Sequence, residues 1–242
     1  MEILRPDWEA PAAVGAAATT RSGGVSEGSF ASLNLGAHVG DDPAAVAENR
    51  RRLTEALDLP GEPAWLAQVH GTRVVAARPG GTSAEADAAV TREPGVVCAV
   101  LTADCLPVLL ASRRGDEVAA VHAGWRGLAN GVVAAALEAM ETPPAELLAW
   151  LGPAIAQPAF EVGSEVRERF VERDVVNAAF FAPNDRGRWQ ADLAGLARRE
   201  LEAAGVTVSG GGFCTHDETE RFFSYRRDGD CGRQATLVWI RR

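Results

Sequence analysis

Apolar positions recur along this chain with two periods, and the switch between them marks out the elements. Short β-type runs rich in Val, Ala and Leu fall at 14–20, 65–69, 73–77, 96–101, 106–111, 117–121, 147–151, 206–208 and 235–240. Helical spacing intervenes. Val46, Asn49, Leu53 and Leu57 lie three or four positions apart, with Asp42 placed as the cap and Pro43 as the first helical residue. LPGEP then ends the run. Further helices are expected at 128–140, at 164–173 and at 193–204, the last started by Asp192 and stopped by Gly205. Pro107 lacks the N–H that a central ladder needs, so the Asp104-Cys105 corner before it is expected to bend or bulge. The glycine-punctuated loop RSGGVSEGSF holds no GxGxxG motif and reads as a surface turn rather than an anion cradle. No sequence repeat or low-complexity linker interrupts the alternation, which predicts one mixed α/β domain over 1–242.

Composition and charge narrow the function classes. No apolar run approaches the ~20 residues needed to cross a bilayer. The first residues, MEILRPDWEAP, carry acids and prolines where a signal peptide would be basic and then apolar. A cytoplasmic protein is expected, with its four cysteines kept as thiols or metal ligands. A net charge of −9 argues against nucleic acid or an anionic membrane as the main partner. All 24 basic residues are Arg. Without Lys there is no Schiff-base chemistry, no pyridoxal attachment and no Walker-type phosphate loop. Any phosphate must be held by Arg, backbone N–H groups or a metal.

The chain has only four His and four Cys. Three of these eight close apolar runs: His70 after 65–69, Cys105 after 96–101 and His122 after 117–121. One thiolate with two imidazoles is a borderline-soft set that suits Zn²⁺ with one position left open. Their spacing matches no local metal motif such as CxxC or HExxH. Two alternatives therefore stand beside a zinc site: a buried Cys with two unrelated His, and a Cys105 nucleophile with His122 as its base. Cys98 reads as an inert core thiol, Cys231 as an exposed turn residue, and His38 and Asp87 as turn or capping residues. Cys214 and His216 form a C-x-H pair with no further ligand nearby in sequence. Glycines on both sides of Trp125-Arg126 allow the backbone to approach a ligand closely.

The segments SGGVSEGSFASLNLGAHVGDDPAAVAENR, QVHG, ADAAVT, TADCLPVLL, AVHAGWRG, GPAI, FEVG and FFSYRRDG resemble the YfiH-like laccase-domain family. The family is also called polyphenol oxidase or laccase-domain purine nucleoside phosphorylase. The resemblance spans about residues 20–240, with Ala156 standing where the family usually has Gly. It implies zinc held by His70, Cys105 and His122. It also implies an α+β fold with a central β-sandwich of mixed sheets flanked by helices, related to cysteine-hydrolase-like toxin domains of the necrotizing-factor type. The activities implied are phosphorolysis of adenosine, inosine or methylthioadenosine, adenosine deamination and polyphenol oxidation; an amidohydrolase acting on cell-wall precursor peptides is linked to relatives.

Chemistry discriminates among these. Deamination suits a three-ligand zinc, which lowers the pKa of its water to ~7, with Asp104 the nearest carboxylate to shuttle a proton. Phosphorolysis needs a purine nucleoside and phosphate as partners, for which Asn34, Arg50, Arg126 and Arg226 are the candidate contacts. A multicopper oxidase needs about ten ligands, mostly His; four His and two Met cannot supply them. Copper replacing zinc at one site is the remaining route to oxidation.

Overall fold

The structure is a computed structural model and describes residues 1–79 and 84–242. Two β-sheets stack face to face, with helices outside both. One sheet runs in the order β1 (Ile3–Leu4), β2 (Val14–Thr19), β13 (Gln234–Ile240), β5 (Val97–Thr102), antiparallel throughout. The other runs β12 (Thr207–Gly210), β8 (Leu147–Leu151), β6 (Leu106–Ser112), β7 (Val118–Ala123), β4 (Ala88–Thr91), β3 (Val74–Ala76). It is parallel only at its two ends, where β12 meets β8 and β3 meets β4. A third, small sheet joins β10 (Phe181–Pro183), β11 (Trp189–Ala191) and β9 (Glu161–Val162).

Strands β5 to β8 are buried on both faces, which is why they read as continuous apolar runs rather than alternating ones. Cys98 and Val100 point inward to meet Leu109, Ala111, Val118, Ala120 and Trp150 of the other sheet. Val97, Ala99 and Leu101 point outward against Leu53 and Leu57 of α1 (Pro43–Leu57). On the far side, Leu106, Val108, Leu110 and Val121 pack against α2 (Trp125–Asn130), α3 (Val132–Ala139), α4 (Ser164–Arg173) and α5 (Leu193–Ala203). Each fully buried Val or Leu side chain stabilises this arrangement by about 1.5–3 kcal/mol.

Capping chemistry places the helix starts where the sequence puts them. The Asp42 carboxylate accepts the Ala44 N–H at 3.0 Å, and Asp192 accepts the Gly195 N–H at 2.8 Å. The buried face of α1 is Val46, Asn49, Leu53 and Leu57. Three expectations are corrected. The helix expected at 128–140 starts at Trp125 and is broken by Gly131, whose φ of +94° ends α2 and begins α3. The run at 65–69 is not a strand; this stretch makes only single bridges, Ala64 to Cys98 and Ala67 to Glu85. Beyond it the N–H groups of Val69, His70 and Gly71 turn to the Asp87 carboxylate instead of a ladder. Cys231 is fully buried rather than exposed, packed with Ala103 and Phe223. The Asp104 corner does bend, with φ of +89°. Pro107 is tolerated because it sits opposite His122, just beyond the last β8 residue that β6 pairs with. No helix among the described residues is long and apolar enough to cross a membrane.

Candidate metal centre

Strand register brings the three rare side chains to one end of the larger sheet. β6 begins directly after Cys105 and pairs antiparallel with β7, setting Leu106 opposite Ala123 and Pro107 opposite His122. On the other side of β7, β4 begins directly after Asp87, whose C=O accepts the His122 N–H at 2.7 Å. β3 lies parallel to β4, and the turn before it returns His70 to the same edge. His70 has φ of +60°, a conformation costly for a side-chain-bearing residue. The Asp87 carboxylate holds it there by accepting the His70 N–H at 2.9 Å and the Gly71 N–H at 2.6 Å.

One ligand atom from each of His70, Cys105 and His122 lies within 4.8 Å of the others. Cys105 Sγ is 3.7 Å from His70 Nε2, and the two imidazole rings meet edge to face at 4.8 Å between centroids. His122 Nδ1 is 2.8 Å from Asp87 Oδ1. A carboxylate only accepts, so Nδ1 carries the proton and Nε2 is left to face the cluster. This is the outer carboxylate that metal-binding histidines commonly use.

The metal-free centre pairs a thiolate with an imidazolium, so a bound metal ion would take the place of the His122 proton. Burial pushes the Cys105 thiol up, but the His122 charge and hydrogen bonds from His122 and His70 outweigh it and bring the thiol to about 6. Burial pulls His122 down, while the Cys105 charge and the Asp87 hydrogen bond raise it to about 9. Burial likewise opposes ionisation of Asp87, and its bonds from His122, Gly71 and His70 still hold it below the usual carboxylate value. The backbone leaves room for an ion: a Cβ at Gly124 would stand 2.7 Å from His70 Cδ2 and 3.1 Å from Cys105 Sγ. Donor type, spacing and the open cradle therefore fit one borderline-soft metal ion. Among the described residues this is the only group of three that could hold one. A multinuclear copper cluster does not fit.

The centre opens into a cavity of about 480 Å³, within the range of small-molecule sites. Its wall carries three aromatic rings, Trp125, Phe160 and Tyr225, and three arginines, Arg126, Arg226 and Arg233. Arg126 lies 4.6 Å over Trp125 and makes no hydrogen bond or ion pair among the described residues. Arg226 lies 5.2 Å over Phe160 and donates to the Glu161 C=O at 2.8 Å. Asp104 lines the same cavity, with both oxygens engaged: Oδ1 accepts from Thr215 Oγ1 at 2.7 Å and Oδ2 accepts the Arg226 N–H at 2.7 Å.

Two expected contacts do not reach the cavity. Asn34 is fully buried and spends its amide on Asp41, Gly36 and the Arg233 N–H. Arg50 donates twice to the Leu35 C=O and stacks 4.3 Å over Trp65. Of the other cysteines, Cys98 is pushed up to about 12 by burial. His216 pairs with Asp217 at 2.7 Å, and no third donor joins it and Cys214 among the described residues. His38, read as a turn residue, stands in the cavity wall. The close approach expected at the glycines flanking Trp125-Arg126 falls at Gly124, beside His70 and Cys105, whereas Asp87 and Arg233 carry no functional signal in the sequence and are brought to the site only by the fold.

A family model described as multi-copper polyphenol oxidoreductase laccase matches residues 15–241. A Pseudomonas aeruginosa protein named purine nucleoside phosphorylase is 56% identical over 239 residues, covering 98% of each chain. Purine nucleoside phosphorylase YfiH of Escherichia coli is 50% identical over 243 residues, 99% of each chain. Among solved structures, a Neisseria meningitidis protein shares 50% identity over 99% of each chain with a TM-score of 0.95. YlmD of Geobacillus stearothermophilus shares 32% identity with a TM-score of 0.86, over 96% of this chain and 93% of its own. The chain belongs to the YfiH-like laccase-domain family that its motifs resemble.

Proposed function

We propose that this protein is a zinc-dependent purine nucleoside phosphorylase that works as one domain in the cytoplasm, with adenosine deamination as a side activity of the same centre. The observation that carries the proposal is the junction of a three-donor metal centre with a cavity walled by aromatic rings and by arginines whose guanidinium groups have no carboxylate partner among the described residues. The names of the Pseudomonas and Escherichia relatives support it.

Phosphorolysis breaks the C1′–N9 bond of the nucleoside and forms a C1′–O bond to phosphate. The bonding pair leaves with the purine, which takes up a proton, and ribose 1-phosphate is the second product. Trp125, Phe160 and Tyr225 offer faces on which a purine stacks. Arg126 and Arg226 supply charge for the phosphate, in a chain with no Lys to do so. Asp104 fixes the backbone of Arg226, so in this reading it positions an anion ligand rather than moving a proton. Asp87 keeps the His122 Nε2 lone pair and the His70 backbone aimed at the centre. When bound there, zinc supplies Lewis-acid charge against the negative charge that develops in the reaction. Hypoxanthine release from inosine that requires added phosphate is the expected result; release at equal rate without phosphate marks a hydrolase and contradicts the proposal.

A second reading rests on a specific observation. The lowered Cys105 thiol, the raised His122 and the carboxylate of Asp87 form the sequence of groups that activates a cysteine nucleophile. An amidohydrolase, with the kinship to toxin-type cysteine hydrolases, follows from that reading. Its activity survives chelation and is abolished by iodoacetamide. Polyphenol oxidation through a single copper at the same donors is a lesser variant of the first reading.

A further inference from the structure

We infer that Arg233 is the main phosphate-holding residue of the cavity, and that the Asn34–Gly36 turn serves to aim it. The inference rests on the proposed phosphorolysis only for the identity of the anion. Arg233 is fixed at backbone and side chain together. Its N–H donates to Asn34 Oδ1 at 2.9 Å and its C=O accepts the Leu35 N–H at 3.1 Å. Its Nη1 donates to the C=O groups of Cys231 at 2.7 Å and Gly232 at 3.0 Å. Asn34 is itself immobilised, donating to Asp41 Oδ2 at 2.9 Å while its C=O accepts from Asn49 Nδ2 at 2.9 Å. Gly36 completes the mould: a Cβ there would stand 2.8 Å from Arg233 Cγ. The stem of the arginine thus lies in a groove that only glycine leaves open.

What this apparatus leaves free is the rest of the guanidinium. Nε and Nη2 of Arg233 make no hydrogen bond among the described residues, and no carboxylate pairs with the group. The chain holds 33 acidic side chains, so partners were abundant. A half-buried cation kept unpaired in a cavity wall is costly unless an anion completes it. Its planar fork matches two oxygens of a tetrahedral oxyanion. His38, in the same wall, does not compete for that role. Burial and then the charges of Arg233 and Arg50 hold its imidazole below the ordinary value, leaving it neutral at pH 7.

The test is equilibrium binding of inorganic phosphate to the zinc-loaded protein, alongside binding of inosine and steady-state phosphorolysis. Arg233→Gln is expected to weaken phosphate about tenfold or more, the cost of losing charge-assisted hydrogen bonds. Arg233→Lys, which keeps the charge without the fork, should recover only part of it. Gly36→Ala should weaken phosphate as well although it removes no polar group. In all three the KM for phosphate rises while inosine affinity, zinc content and circular dichroism stay at wild-type values. Unchanged phosphate binding in Arg233→Gln overturns the inference, as does parallel loss of inosine and phosphate, the signature of a structural residue. Adenosine 5′-monophosphate serves as a second probe; loss of its binding with free phosphate retained assigns Arg233 to a substrate phosphoryl group and overturns the assignment to free phosphate. Arg233-dependent phosphate binding without any base release in the wild type sinks the proposed reaction and leaves the anion site standing.

Discussion

Asp87 is the residue through which the centre is assembled, because one carboxylate accepts from the backbone of Val69, His70 and Gly71 and from the ring of His122. Asp87→Asn should lower metal affinity about 10–100-fold, the usual cost of disturbing an outer partner. Competition against a chromophoric chelator measures this, and wild-type affinity in the variant would contradict the role. Gly124→Ala tests the cradle without altering a donor, since its methyl would crowd His70 and Cys105; metal affinity is expected to fall. In chelated protein the lowered Cys105 thiol is ionised above about pH 6. Its alkylation rate should therefore level off near neutral pH, whereas an ordinary cysteine keeps accelerating to about pH 8.5. His122→Ala should move that plateau upward, by removing the cation that favours the thiolate. The three ligand candidates were legible because Cys and His are rare here and fall where apolar runs stop. Asp87 was not, since one Asp among 33 acids carries no signal until register puts it beside His122. Asn34 misled for the opposite reason: its motif stood out, but the amide serves the backbone of Arg233.

At the scale of elements, what the periodicity showed was strands long enough to be buried and helices with their own caps. β5, β6, β7 and β8 and helices α1, α4 and α5 lie within a residue or two of expectation. β1, β9, β10 and β11 span two or three residues each, too few to display a period. The split between α2 and α3 was hidden because the run of Ala and Val resumes directly after Asn130-Gly131, and a left-handed conformation cannot be read from glycine alone. Gly131→Ala should cost about 1–2 kcal/mol, the penalty for forcing an L side chain into that region. Thermal unfolding measures it, and an unchanged or raised Tm would contradict the account of the break. Because α2 follows His122 so closely, the same variant should also disturb the metal centre more than its distance in sequence suggests.

Across the whole molecule the four layers, α1 outside one sheet and α2 to α5 outside the other, leave the sheet ends free to build the site. The chain closes on itself, with β13 from the C-terminal end pairing between β2 and β5 and delivering Arg233 to the cavity. The chain carries a net charge of −9, whereas the guanidinium groups of the cavity lack carboxylate partners among the described residues, so the local charge there comes from the fold rather than from the overall charge. The central claim is that one zinc, held by His70, Cys105 and His122, serves phosphorolysis in that cavity. The most direct test is zinc content per chain of wild type and Cys105→Ser, read together with phosphate-dependent hypoxanthine release before chelation, after it and after zinc is restored. The account predicts one zinc per wild-type chain, release that falls and returns with the metal, and neither zinc nor release in Cys105→Ser. Stoichiometric zinc retained by Cys105→Ser, or wild-type release that is indifferent to chelation, would contradict it.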